Sequence, residues 1–217
     1  MMAPSMYLPV YAQSVTEVSP IAAGFILASM SLTWPLFSGF SGRLYLAIGF
    51  RNTALTGVFL VIMGISLFLF LPFPGPVWML VGSQLLLGAG FGLISTPLLV
   101  GVQSVVDWNR RGVVTGASMF SRYFGQTLGA AMFAAVFNSI LLATFQKASG
   151  EVATVLPETN RVIEALQSSQ TTPDTLVFLQ KSFHEAIHYV YVGLLIAALI
   201  TLFILLATPS KFESLEN

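Results

Sequence analysis

Residues 52–106 read NTALTGVFLV IMGISLFLFL PFPGPVWMLV GSQLLLGAGF GLISTPLLVG VQSVV, and none of the 55 carries a formal charge. Pro72-Phe73-Pro74-Gly75-Pro76 interrupts this run with residues that end helices. A bilayer core of ~30 Å is crossed by roughly 20 apolar residues in a helix. The stretch therefore predicts two spans, near 53–71 and 77–106, joined by the Pro72–Pro76 turn.

The same arithmetic extends in both directions. Residues 18–42, 123–146 and 186–210 are further uncharged runs of 25, 24 and 25 residues. They predict spans near 21–42, 113–145 and 187–208, with a long connection over 146–185. Barrel strands would be short and alternating, which these runs are not, and hydrocarbon requires each segment to satisfy its own backbone groups. An all-α membrane protein with five transmembrane helices is expected, its chief partner the lipid bilayer. Composition agrees: 55% of the chain is apolar and 8% charged, with nine basic residues against nine acidic. A soluble domain carries about 25% charged residues. A nucleic-acid partner would need a concentrated basic face, and the absence of cysteine excludes disulfides, thiolate catalysis and Cys-based metal sites. No cofactor is expected.

Arg43, Arg51, Arg110, Arg111 and Lys211 all fall at one side of this arrangement, whereas the Pro72–Pro76 turn and the residues before 20 have no Lys or Arg. The positive-inside rule places the basic side in the cytoplasm, so the N-terminus is expected outside and the C-terminus inside. Residues 1–13 lack the basic and apolar regions of a signal peptide. They are too short to span and apolar enough to be the outer end of a helix, as expected of a chain whose earlier part is missing.

Arg122 is the one charged residue inside an expected span. Ten residues past Gly112, it lies ~15 Å along the helix, at ~1.5 Å per residue. An arginine at that depth costs roughly 2.5–3.5 kcal/mol by insertion scales. Thr115, Ser118, Gly125, Gln126 and Gly129 share its helical face, a small and polar stripe suited to other helices or water. Arg122 is expected to line a cavity, with Gln126, Ser118, Phe120 and Trp34 as companions, to pair with a carboxylate elsewhere in the bundle, or to clamp backbone carbonyls of a neighbouring helix. Cavity residues are sought in the first, third and fourth spans. Gly88, Gly90 and Gly92, and the Gly125–Gly129 pair, are expected to allow close backbone approach, and Pro35 and Pro97 to kink their spans. The expected spans hold no Asp or Glu, so a titrating acid for proton coupling would have to come from another segment.

His184-Glu185-Ala186-Ile187-His188 matches the H-E-x-x-H pattern, two imidazoles one helical turn apart with a glutamate base. Catalytic zinc needs a third protein ligand, and the sequence has no other histidine. A membrane zinc peptidase is one alternative reading and a non-transporting scaffold another; polar residues at a helix–water boundary explain the motif without metal.

Several segments in order resemble the C-terminal half of a major facilitator superfamily transporter of the fourteen-span drug:proton antiporter branch. Tyr7-Leu8-Pro9-Val10-Tyr11-Ala12-Gln13 resembles the outer end of that half's first helix. Gly42-Arg43-Leu44-Tyr45-Leu46-Ala47-Ile48-Gly49-Phe50-Arg51 is similar to the second copy of the G-x-L-x-D-R-x-G-R loop, with Leu46 and Ala47 in place of Asp-Arg. Gly88-x-Gly90-x-Gly92 followed by Pro97, and Arg111-Gly112-x-x-Thr115-Gly116-x-x-x-Phe120-x-Arg122-x-x-Gly125-x-x-x-Gly129, resemble later signature helices. The resemblance implies half of a two-part helical bundle in the plasma (inner) membrane and proton-driven export of drugs or other small amphipathic substrates. It implies as partner the N-terminal half of the same transporter, without which this chain is expected to be inactive. It also implies conformational roles for Gly42, Gly49, Arg51, Arg111, Gly112, Gly125 and Gly129, and neither catalysis nor a metal site.

Overall fold

The computed structural model describes residues 2–148, 156, 161–167 and 172–208. The described elements are helical: α1 (Met2–Ser14), α2 (Pro20–Ile48), α3 (Phe50–Leu69), α4 (Val77–Ser104), α5 (Arg111–Phe145), α6 (Val162–Gln167) and α7 (Pro173–Ala207). A 3-10 turn, Trp108–Arg110, leads into α5. Five segments are long and apolar enough to cross a membrane: α2, α3, α4, α5 with its leading turn, and α7. Lys211, which enters the expected charge pattern, lies outside the described residues.

Helix ends follow local chemistry and extend past the expected spans. Ser19 caps α2, its Oγ accepting the Ala22 N–H at 3.2 Å, and Pro20 occupies the first turn. No breaker stands between Gly42 and Ile48, so α2 runs on six residues beyond the expected end at 42. The turn falls instead at Gly49, where φ of +86° and ψ of 160° suit glycine. The connection expected around Gly42–Arg51 is thus mostly helix, and Gly42 lies within it. α7 starts at Pro173 rather than near 187, with Thr172 in extended conformation before it and Asp174 in its first turn. Pro9, Pro35 and Pro97 sit inside continuous helices.

The packing centres on α4, which lies between α2 and α3. Gly88 and Gly92, one turn apart, meet α2: a Cβ at Gly92 would stand 2.7 Å from Trp34 O and 2.8 Å from Ser38 N, and one at Gly88 would strike Met30 O at 2.6 Å. Gly90 lies two residues from each and faces α3, where a Cβ would come within 2.6 Å of Gly57 O. The relation is mutual, since a Cβ at Gly57 would lie 2.7 Å from Gly90 O. One short glycine run therefore lets α4 approach two neighbours at once, the use expected of small residues where lipid tails are as apolar as side chains. Ser83 Oγ donates to Gly64 O at 2.8 Å in full burial, and Ser38 and Thr96 share a hydroxyl bond at 2.5 Å.

A second body of contacts joins α1, α3, α5 and α7. Phe68 stacks on Tyr191 with ring centroids 3.7 Å apart and meets Tyr11 at 5.6 Å. Tyr7 stacks on Phe137 at 4.3 Å, and Phe137 meets Phe183 edge-on. These bury the Phe145 end of α5. Its Arg111 end is tied to α4 by Gln103 Nε2 donating to Thr115 Oγ1 at 2.7 Å. Between the two ties α5 stands away from α4, its only buried residues being Phe137 and Leu141.

Gly90→Val should destabilise the detergent-solubilised protein by about 2 kcal/mol, as overpacking does, read as a lower melting temperature. Gly39→Ala, where a Cβ would meet nothing within 4 Å, should leave that temperature unchanged.

Candidate functional site

The stand-off between α4 and α5 opens a cavity of about 620 Å³. Phe91, Ile94, Leu98 and Leu99 of α4 form one wall, Met119 and Phe133 of α5 another, and Leu194 and Ala197 of α7 the third. A ligand site typically occupies ~300–1,000 Å³ with a few convergent polar groups in an apolar lining. Here Ser95 of α4 adds one polar group, its Oγ donating to Phe91 O at 2.7 Å, and the others come from α5: Ser118, Ser121, Arg122 and Gln126, beside Gly125 and Gly129. They converge because steps of three, four and seven residues return to one helical face. Gly193 of α7 lets the Phe133 ring pack against its backbone, since a Cβ there would stand 2.7 Å from that ring.

Arg122 extends from α5 towards α2, where its Cζ stands 5.3 Å from the Trp34 ring centroid, within cation–π range. That ring is its one recorded partner among the described residues; no backbone carbonyl of a neighbouring helix receives it.

The structure thus brings Arg122, Gln126 and Ser118 to one wall and places Trp34 against the guanidinium. Phe120 is not with them. Two residues before Arg122, it lies about 200° around the helix, 69% exposed and stacked on Phe124. Gly125 and Gly129 were expected to permit close helix approach, but a Cβ at either would meet nothing within 4 Å. They widen the cavity wall instead, because the bulky Phe133, Phe137 and Leu141 fix how near α5 can come. Gly112 is likewise open. The first span, α2, supplies no cavity wall beyond the reach of Trp34, and α7, which was not expected to contribute, supplies Leu194 and Ala197. Gly193 in an otherwise bulky run was the signal for that contact.

Two motif arginines act as braces. Arg51 at the start of α3 donates through Nε to Leu205 O at 2.9 Å and through an Nη to Leu206 O at 2.6 Å, holding the last turn of α7. Leu205 O also accepts the Thr208 N–H at 3.3 Å, and both carbonyls lie in the last turn, at the negative end of the helix dipole. Arg111 lies over the Trp108 ring at 5.0 Å and anchors the entry to α5.

His184 and His188 lie on one face of α7 with ring centroids 6.0 Å apart. His184 Nδ1 is hydrogen-bonded to Tyr11 OH at 2.8 Å, and Phe73 packs edge-on against the same ring. No group of three or more metal-ligating side chains exists among the described residues. The H-E-x-x-H motif here joins α1 to α7, and the zinc peptidase alternative finds no support.

A sequence profile of the Major Facilitator Superfamily matches residues 1–130, and the chain belongs to that family. It is similar to the multidrug transporter protein MdtP of Bacillus subtilis, with 28% identity over 133 residues, 61% of this chain and 25% of that protein. The MFS-type efflux pump LUC4 of a Fusarium species is 31% identical over 144 residues, 66% of this chain and 26% of its own. The multidrug resistance protein Stp of Mycobacterium tuberculosis is 27% identical over 136 residues, 63% and 25% of the two chains. The chain spans about a quarter of the length of these curated relatives. It is an all-α integral membrane protein of this superfamily.

Arg51→Ala should free the Leu205 and Leu206 carbonyls and cost roughly 1 kcal/mol. Faster amide hydrogen exchange confined to the last turns of α7, with the rest of the protein unchanged, is the expected reading.

Proposed function

We propose that this chain forms the C-terminal half of an efflux permease for drugs or other small amphipathic compounds, and that the α4–α5–α7 cavity is its contribution to the substrate path. The observation that carries this reading is an apolar, ligand-sized cavity with one arginine deep in a helix that crosses the membrane. An intramembrane ionisable residue marks a functional site by default. Relatives named as multidrug transporters and efflux pumps support the same reading.

In this proposal the permease lies in the plasma (inner) membrane, with residues near 1 outside and those near 217 in the cytoplasm. The N-terminal half of the same transporter packs against the open faces of α2 and α5. The two halves rock about a midplane site to give alternating access. Export is proton-driven, and because α2 to α5 contain no Asp or Glu, the titrating acid is supplied by that other half. Gly42 and Gly49, and Arg51, Arg111, Gly112, Gly125 and Gly129, serve the movement rather than the cargo. Substrate binding belongs to Arg122, Gln126 and Ser118, with Trp34 positioning the guanidinium.

Cells expressing the full-length gene product should lose efflux of a fluorescent drug on Arg122→Ala, while surface biotinylation and membrane yield stay at wild-type levels. Wild-type efflux in that variant would remove Arg122 from the transport path. Because the sequence has no cysteine, orientation is testable with single substitutions. Asn109→Cys should react with an impermeant maleimide only after the cell is opened, and Lys147→Cys in intact cells.

A further inference from the structure

Among the described residues, the cavity is lined by one formal charge and no counter-charge. Every acidic residue of the sequence lies outside α2, α3, α4 and α5, and in α7 the acids Asp174 and Glu185 precede the cavity residue Leu194 by at least nine positions. Nine helical residues correspond to ~14 Å along the axis, and Arg122 forms no ion pair among the described residues. The Trp34 ring centroid stands 5.3 Å from Arg122 Cζ, and the ring offers its N–H groups no hydrogen-bond acceptor oxygen. A guanidinium has five such donors in a rigid fork that matches a carboxylate edge-on. Ser118 and Gln126 flank it by one turn on either side and add neutral donors.

Apart from Ser95 and Ser121 the remaining lining is apolar, with Phe91, Ile94, Leu98 and Phe133 offering a surface for rings or chains. A cationic guest would bring a second positive charge beside the first, with no carboxylate among the described residues of the cavity to receive it. A neutral guest would fill the apolar wall and leave the guanidinium fork empty. A guest with an apolar body and a single anionic head satisfies both parts.

We propose that this cavity selects amphipathic organic anions, the head group held edge-on by Arg122 and the apolar body held by the α4 wall and Phe133. This inference rests on the cavity being the substrate site and narrows its cargo to one charge class. Trp34 serves as a positioning residue, its ring within cation–π range of the guanidinium that lines the cavity.

Three size-matched probes separate the possibilities: 2-naphthoate, 2-naphthamide and 2-naphthylmethylammonium, titrated by fluorescence against the full-length gene product in nanodiscs of zwitterionic lipid. The carboxylate should bind about ten-fold tighter than the amide, the margin of one charge-assisted bidentate contact. The ammonium should bind weakest. Arg122→Gln should reduce the carboxylate to the level of the amide and leave amide affinity unchanged, whereas Arg122→Lys should keep part of the preference. A second variant, Ile94→Trp, fills the cavity and should weaken all three probes. Equal binding of the three, or a preference for the ammonium, with Ile94→Trp still weakening them all, overturns anion selection and leaves the cavity as the substrate site. A carboxylate preference that survives Arg122→Gln overturns it too. If Ile94→Trp weakens none of the probes, the cavity is not the site, and both readings fall.

Discussion

Close backbone contact at three glycines of α4 governs how the rest of this chain is arranged. In lipid no hydrophobic gain follows from bringing two apolar helices together, so association relies on dispersion between surfaces that fit closely. Gly88 and Gly92 supply that fit towards α2 and Gly90 towards α3. The three helices form a wedge whose spacing is set by backbone atoms, with little room for adjustment. α5 has no such arrangement. Its large residues, Phe133, Phe137 and Leu141, meet α7 and α1, and a side-chain amide holds its other end to α4. A helix held at two ends and spaced by aromatic rings leaves a gap in the middle, and that gap is the cavity.

The gap explains how an arginine is accommodated far along a membrane-crossing helix. Burial in a dry helix pair would leave five N–H donors without acceptors, a cost of several kcal/mol in hydrocarbon. The cavity instead gives the guanidinium open volume on one side and an aromatic face on the other. Gly125 and Gly129 matter here through the volume they leave free rather than through contact. Arg51 uses the same chemistry differently: its donors are taken up by two carbonyls at the end of α7, so it braces the bundle. Two arginines, Arg51 bonded to two backbone carbonyls and Arg122 with an aromatic ring as its one partner among the described residues, thereby divide between structure and proposed function.

The five long helices were legible because charge is so scarce that its gaps outline them, and because Pro72–Pro76 divides the longest gap. Their ends were less legible. Hydropathy marks where lipid stops, whereas a helix continues until a residue forbids it, as Gly49 does for α2, and α7 begins where Thr172-Pro173-Asp174 permits. The polar face of α5 was readable from the three- and four-residue spacing of Ser118, Arg122, Gln126 and Gly129. Phe120 was misplaced by proximity in sequence, being two residues away and so nearly opposite on the helix. Glycines proved ambiguous in isolation. Gly88, Gly90 and Gly92 pack tightly while Gly125 and Gly129 pack against nothing, because the outcome depends on the bulk of residues elsewhere on each helix. Long-range partners such as Arg51 with Leu205 and Tyr11 with His184 leave no local pattern and required the fold.

The most direct test of the account is the reactivity of single cysteines along α5 towards a hydrophilic thiol reagent, with the full-length protein in a bilayer. Cysteines replacing Ser118, Ser121, Gly125, Gln126 and Gly129 should react, and those replacing Phe120, Phe124 and Ala131 should be protected, a helical pattern with the Arg122 face wet. Uniform protection along the helix, or reactivity centred on the Phe120 face, would contradict a hydrated cavity beside Arg122.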